Sequence, residues 1–254
     1  MHIQNKKRFV LMMGLLGLLI ILIGLSIWMI GSAISSQNGS AKITSNPTNT
    51  ATADSAQGNR TDLTASQAIT EPMDTLVLVN KTTSLAEDYQ PADLVWVDLP
   101  GVRETQLRKE AAGALAELFA AAESKNLSLY CCSGYRSYQT QAELYAENVK
   151  AYGQKEADLV SAKPGQSEHQ TGLAMDVTAE SVNFDLLESF GQTPEGVFIK
   201  NNAHQYGFIV RYPEDKTTIT GYAYEPWHLR YVGKAVATEI YDNKLTFEEY
   251  LKTS

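Results

Sequence analysis

The sequence predicts an α+β domain built on a small antiparallel sheet flanked by helices, preceded by an N-terminal transmembrane helix and a disordered stalk. Three observations carry that expectation. Short apolar runs with strand character are interspersed with amphipathic helical stretches, without the regular strand–helix–strand rhythm of a doubly wound parallel sheet. An almost unbroken run of Leu, Ile, Met, Val and Gly, free of charge, fills residues 9–30. Between that run and the first strand-like segment lies a stretch rich in Ser, Thr, Asn, Ala and Gln, with no apolar period.

Taken in order, residues 1–8 read as a cytoplasmic tail and 9–31 as a membrane anchor. A helix rises about 1.5 Å per residue, so roughly 20 apolar residues cross the hydrocarbon layer. Lys6, Lys7 and Arg8 stand just before the run, and positive charge is retained inside, which puts everything after the anchor outside the cytoplasm. The run exceeds the roughly 7–15 apolar residues of a cleaved signal peptide, and Gly31-Ser32-Ala33 is a weak cleavage site. Residues 32–72 read as a disordered extracytoplasmic stalk, and 73–254 as the folded domain.

Within that domain Thr75–Val79 and Leu94–Val97 read as extended pieces, and Glu104–Lys125 as an amphipathic helix. Leu127–Cys132 is a short apolar strand, followed by Ser137 as the N-cap of a helix over Tyr138–Tyr152. A strand over Leu173–Val177 follows the Pro164-Gly165 loop. Next come a helix over Pro194–Tyr206 closed by Gly207, strands over Phe208–Tyr212, Tyr222–Tyr224 and Trp227–Val232, and helices over Gly233–Tyr241 and Phe247–Leu251.

The 254 residues, 44% hydrophobic, suffice for one core plus the appendage. Setting the three cytoplasmic basic residues apart leaves 18 Lys and Arg against 29 Asp and Glu outside. Such an acidic surface excludes nucleic acid as a partner and disfavours anionic lipid, so a substrate has to be recognised locally. The domain is expected to be monomeric. Cys131 and Cys132 are adjacent in an apolar strand and would point to opposite faces. They read as small buried residues, not as a disulfide framework.

The ectodomain has three histidines, His169, His204 and His228. His169 stands in a loop seven residues before Asp176, which lies on a strand. His228 follows Glu225 by three at the edge of another. His204 falls on a helix and reads as a solvated or half-buried residue. Two histidines and a carboxylate are a usual ligand set for catalytic zinc with one open position. A further carboxylate, Glu225, would serve as the base. Residue by residue a structural role stays open, since a loop histidine can be a surface residue and a strand-end aspartate a cap. Spacing alone does not decide between the two.

Four strings carry a resemblance: SGYRS at 133–137, SEHQTGLAMDV at 167–177, YGFIVRYPEDKT at 206–217 and YEPWHLRYVG at 224–233. Together they resemble the VanY-type zinc D-alanyl-D-alanine carboxypeptidases, a family that includes related L,D-carboxypeptidases, over about residues 76–251. The resemblance implies one zinc ion held by His169, Asp176 and His228 at the sheet, with Glu225 as catalytic base. It also implies that Arg136 stabilises negative charge at the reacting carbonyl or the substrate carboxylate. Ser167 would bind substrate backbone. Tyr135, Gln141 and Trp227 would line the groove. The activity it implies is removal of the C-terminal D-alanine from peptidoglycan stem peptides, D,D bonds ahead of L,D. Against this stands a non-catalytic cell-wall-binding domain that uses zinc for structure, which would need Glu225 as a fourth ligand.

Overall fold

The structure is a computed structural model that describes residues 75–253. The expected tail, anchor and stalk lie outside the described residues. Among the described residues no helix is long and apolar enough to cross a membrane.

Two sheets organise the described residues. Strands β1 (Leu94–Trp96) and β2 (Gln106–Arg108) pair antiparallel, Val95 opposite Leu107. A four-stranded antiparallel sheet holds β3 (Tyr130–Ser133), β4 (Ala174–Thr178), β5 (Phe208–Tyr212) and β6 (Glu225–Tyr231) in the order β3-β4-β6-β5. The expected α+β class with a small antiparallel sheet is therefore what the chain adopts.

One face of the larger sheet makes the core. Met175 and Val177 of β4 and Leu229 and Tyr231 of β6 alternate inward, as the period of two requires. They pack with α1 (Lys109–Glu123) and α4 (Pro194–Asn202). Helix α1 buries Ala111, Ala114, Leu115, Leu118, Phe119 and Ala122, the stripe read from sequence. It begins at Lys109 and not Glu104, because Gln106–Arg108 is taken up by β2.

Two helices follow β3. Helix α2 (Tyr138–Tyr152) is capped as expected, Ser137 Oγ accepting from the Thr140 N–H. Helix α3 (Gln154–Val160) folds back after Gly153. Helix α4 runs into a 3-10 turn over Ala203–Tyr206 that ends at Gly207, φ +85°. A short helix α5 (Thr217–Thr220) precedes β6, and α6 (Lys234–Asn243) and α7 (Phe247–Thr253) close the domain.

Two expected strands are absent. Residues 75–79 form no ladder, because a side chain takes up their carbonyls: Arg230 Nη2 donates to Thr75 and Val77 at 2.9 and 2.7 Å. Tyr222–Tyr224 is irregular, turned by Gly221 at φ +77°, so β6 begins at Glu225.

Candidate metal centre

The site lies on the face of the sheet opposite the core, and two irregularities in the ladder build it. Between Cys131 and Ser133 the register of β3 against β4 shifts, so that Ser133 stands opposite Asp176. Asp176 in turn stands opposite His228 on β6. Ser133, Asp176 and His228 thus form a row across three strands. A second irregularity, between Val210 and Tyr212, sets Tyr212 opposite Glu225 while Val210 stands opposite Leu229. Regular alternation would send Glu225 and His228 to opposite faces, three residues apart. The break brings their side chains to 3.7 Å, a use of bulges common beside active sites.

His169 arrives from a 3-10 turn (Glu168–Thr171) closed by Gly172 at φ +67°. A Cβ there would stand 2.9 Å from Leu94 Cδ2, so the glycine meets both a steric and a conformational demand. The ring is oriented by Gly134, whose carbonyl lies 2.8 Å from Nδ1. A carbonyl only accepts, so Nδ1 carries the proton and Nε2 keeps its lone pair. Gly134 itself is wedged against Thr105 and Gln106, where a Cβ would come within 2.5 Å of both.

His169 Nε2 is 3.3 Å from Asp176 Oδ2, and His228 Nδ1 is 3.1 Å from Asp176 Oδ1. One ligand atom from each of the three residues falls within 4.8 Å of the others, and all three side chains are buried. Asp176 Oδ1 has no hydrogen-bond partner among the described residues. A buried carboxylate oxygen in that condition is costly unless a cation meets it, either a protonated His228 or a bound metal. Tetrahedral zinc with bonds of about 2.0–2.1 Å spaces its ligand atoms about 3.3 Å apart. Two imidazole nitrogens, each 3.1–3.3 Å from an oxygen of one carboxylate, with one ligand atom per residue inside 4.8 Å, therefore fit zinc in donor chemistry.

Glu168 was not among the residues singled out from sequence. Its side chain is fully buried. Oε1 accepts from Arg211 Nε at 2.7 Å and Arg230 Nη1 at 2.8 Å, while Oε2 lies 3.4 Å from His228 Nε2. Arg211 also forks onto Glu248 at 2.9 and 2.6 Å. Burial pushes the Glu168 carboxyl up, but Arg211 and Arg230 overcome this and hold it well below the usual carboxylate range. Asp176 is likewise held low, by the two histidines against the penalty of burial.

The histidines diverge. Burial pulls His169 below its ordinary value. For His228 burial acts the same way, but Asp176 and Glu168 outweigh it and raise the group to about 10. Burial, followed by the opposing pull of His228, leaves Glu225 at about 7.

A cavity of about 230 Å³ opens over this row. Arg136, Gln141, Ser167 and Trp227 line it together with the three candidate ligands and Glu225. Arg136 donates from Nη2 to Ser133 Oγ at 2.7 Å and from Nη1 to Gln141 Oε1 at 2.8 Å. Gln141 is fixed in turn by its amide, which donates to the Ala162 carbonyl at 2.7 Å. Tyr135 is not among the lining residues, although its N–H is anchored to the Gln106 carbonyl. Tyr222, which sequence reasoning passed over, does line the cavity. It is 4% exposed, and its hydroxyl has no hydrogen-bond partner among the described residues. His204 stands apart from the site, stacked on Tyr241 at 3.8 Å. Both cysteines are free and buried, as expected, and burial pushes the Cys131 thiol up to about 12.

The VanY family, described as D-alanyl-D-alanine carboxypeptidase, matches residues 104–234. The putative carboxypeptidase YodJ of Bacillus subtilis is 47% identical over 191 residues, 73% of this chain and 70% of that protein. The solved structure of the LdcB LD-carboxypeptidase matches with a TM-score of 0.67 at 48% identity, over 70% of this chain and 86% of that one. A mutant of the vancomycin-resistance D,D-pentapeptidase VanY, in complex with Zn(II), matches with a TM-score of 0.59 at 35% identity. That match covers 70% of this chain and 98% of the other.

Proposed function

Because the chain belongs to the VanY family of D-alanyl-D-alanine carboxypeptidases, we propose that it is a zinc carboxypeptidase removing the C-terminal D-alanine from peptidoglycan stem peptides. The observation that carries this reading is the convergence of His169, Asp176 and His228 within 4.8 Å beside Glu225. These three residues would hold the zinc, and a Zn(II) complex of a family member supports that assignment. When bound, zinc supplies Lewis acidity at the scissile carbonyl and lowers the pKa of water.

The remaining work falls to the protein's own side chains. Glu225, poised near neutrality, takes the proton of the attacking water and returns it to the departing D-alanine nitrogen. Arg136 is held by Ser133 and Gln141, so its charge is fixed before substrate arrives. A fixed cation stabilises the terminal carboxylate or the developing oxyanion. Gln141 and Ser167 give polar contacts to the peptide end and Trp227 walls it. The unpartnered Tyr222 hydroxyl is a further donor for the substrate. The uncharged run at 9–30 behind three basic residues supports a single-pass membrane protein whose domain works outside the cytoplasm.

The family description favours the D,D bond of a pentapeptide stem. A second reading, cleavage of the L,D bond of a tetrapeptide, is favoured by the 48% identity to the LdcB structure. Incubating the full chain with both stems, with and without chelator, and following the masses tests both. Loss of one alanine from the pentapeptide, abolished by chelator and restored by zinc, supports the D,D reading. The same result on the tetrapeptide supports the L,D reading. Zinc bound with neither stem cut would overturn both and leave a wall-binding module.

A further inference from the structure

We infer that Glu168 is a positioning residue: through its hydrogen bond to His228 Nε2 it makes Nδ1 the metal-binding nitrogen of that histidine. The inference rests on the metal reading above and concerns a residue outside the ligand set and outside the proton path.

A carboxylate without a proton only accepts, so at 3.4 Å from Oε2 the imidazole must present Nε2–H. With Nε2 keeping its proton, Nδ1, 3.1 Å from Asp176 Oδ1, is the nitrogen left to offer a lone pair to a metal. His169 is set the opposite way, with Nδ1–H on the Gly134 carbonyl and Nε2 free toward Asp176. The two histidines thus offer different ring nitrogens, each chosen by what holds the other nitrogen. Partners of this kind orient metal-bound imidazoles and raise their basicity.

Glu168 is itself immobilised. Two guanidinium groups grip Oε1, which leaves Oε2 alone to face the ring. Arg211 is braced by Glu248 in α7, and Arg230 by the carbonyls of Thr75 and Val77. This frame makes Glu168→Gln a sharp probe. Both arginines need an oxygen on their side, so the amide NH2 is turned toward His228, where a donor would meet a donor.

The test compares the full-length parent, Glu168→Gln, and Leu118→Ala, a core variant on α1 remote from the network. Zinc affinity is measured by chelator competition, and the cobalt(II) form by its visible d–d spectrum. Glu168→Gln is expected to weaken zinc by about 10–100-fold and to shift the cobalt spectrum. Leu118→Ala should lower thermal stability and leave both readouts at parental values. Parental affinity and an unchanged spectrum in Glu168→Gln would overturn the inference while the metal reading stands. A parent that binds no zinc would overturn both. Should Glu168→Gln fail to fold, histidine nitrogen shifts of the zinc-loaded parent decide. A slowly exchanging proton on His228 Nε2 supports the inference, and a proton on Nδ1 overturns it.

Discussion

Burial lifts the Glu225 carboxyl to about 7, with His228 the main opposing influence. A carboxyl at that value is about half ionised at neutral pH, so it can both take up a proton and give one away. Replacing it by glutamine keeps the shape and removes the proton acceptor. Glu225→Gln is therefore expected to lower kcat by roughly 10²–10⁴ while zinc content, measured by metal analysis, stays at one per chain. Loss of the metal instead would make Glu225 a ligand. His228 supplies a second expectation at this scale. In the zinc-free chain it is raised to about 10, so at pH 7 it carries a proton that must leave before Nδ1 can bind metal. Zinc affinity should climb as pH rises toward 10, with proton release at pH 7. Calorimetry in buffers of different ionisation enthalpy reads that release directly. The residues legible from sequence were those whose chemistry is local: a histidine seven residues before an aspartate, a glutamate three before a histidine. Glu168 was illegible although it adjoins His169, because its partners Arg211, His228 and Arg230 are 43, 60 and 62 residues away.

At the scale of elements, apolar periodicity announced α1, α2 and the strands β3, β4 and β5 to within a few residues. Strand β2, the three residues Gln106–Arg108, is too short to show a period and was absorbed into the helix that follows. Residues 75–79 were misread for the converse reason. Their apolar run is strand-like, yet Arg230 satisfies two of their carbonyls in place of a neighbouring strand. The two register breaks that aim the site left no trace in composition, since a bulge is a property of the pairing and not of one strand. Gly172, by contrast, was visible as part of a motif, and its conformation explains why. At φ +67°, with Leu94 and Arg108 beside the missing Cβ, Gly172→Ala should cost about 1–3 kcal/mol. Denaturant unfolding of the zinc-free chain reads the cost without interference from the metal.

For the whole molecule, a metal held by His169, Asp176 and His228 would join the 3-10 turn over Glu168–Thr171, β4 and β6, segments otherwise held by the ladder and the Glu168 network. Anything that binds the folded chain alone stabilises it by mass action, about 4 kcal/mol at 1,000 times Kd. Chelator should thus lower the midpoint of thermal unfolding by several degrees, and added zinc should restore it; calorimetry that found no shift would detach the site from the fold. The row Ser133–Asp176–His228 has another consequence. Asp176 and His228 face each other only in the native register, and a slip of one residue would turn one of them to the far side of the sheet. A molecule with its strands mispaired could not assemble the three donors at all. Metal uptake by this site would therefore act as a proofreading step for folding, and the zinc content of a preparation would count its correctly paired molecules.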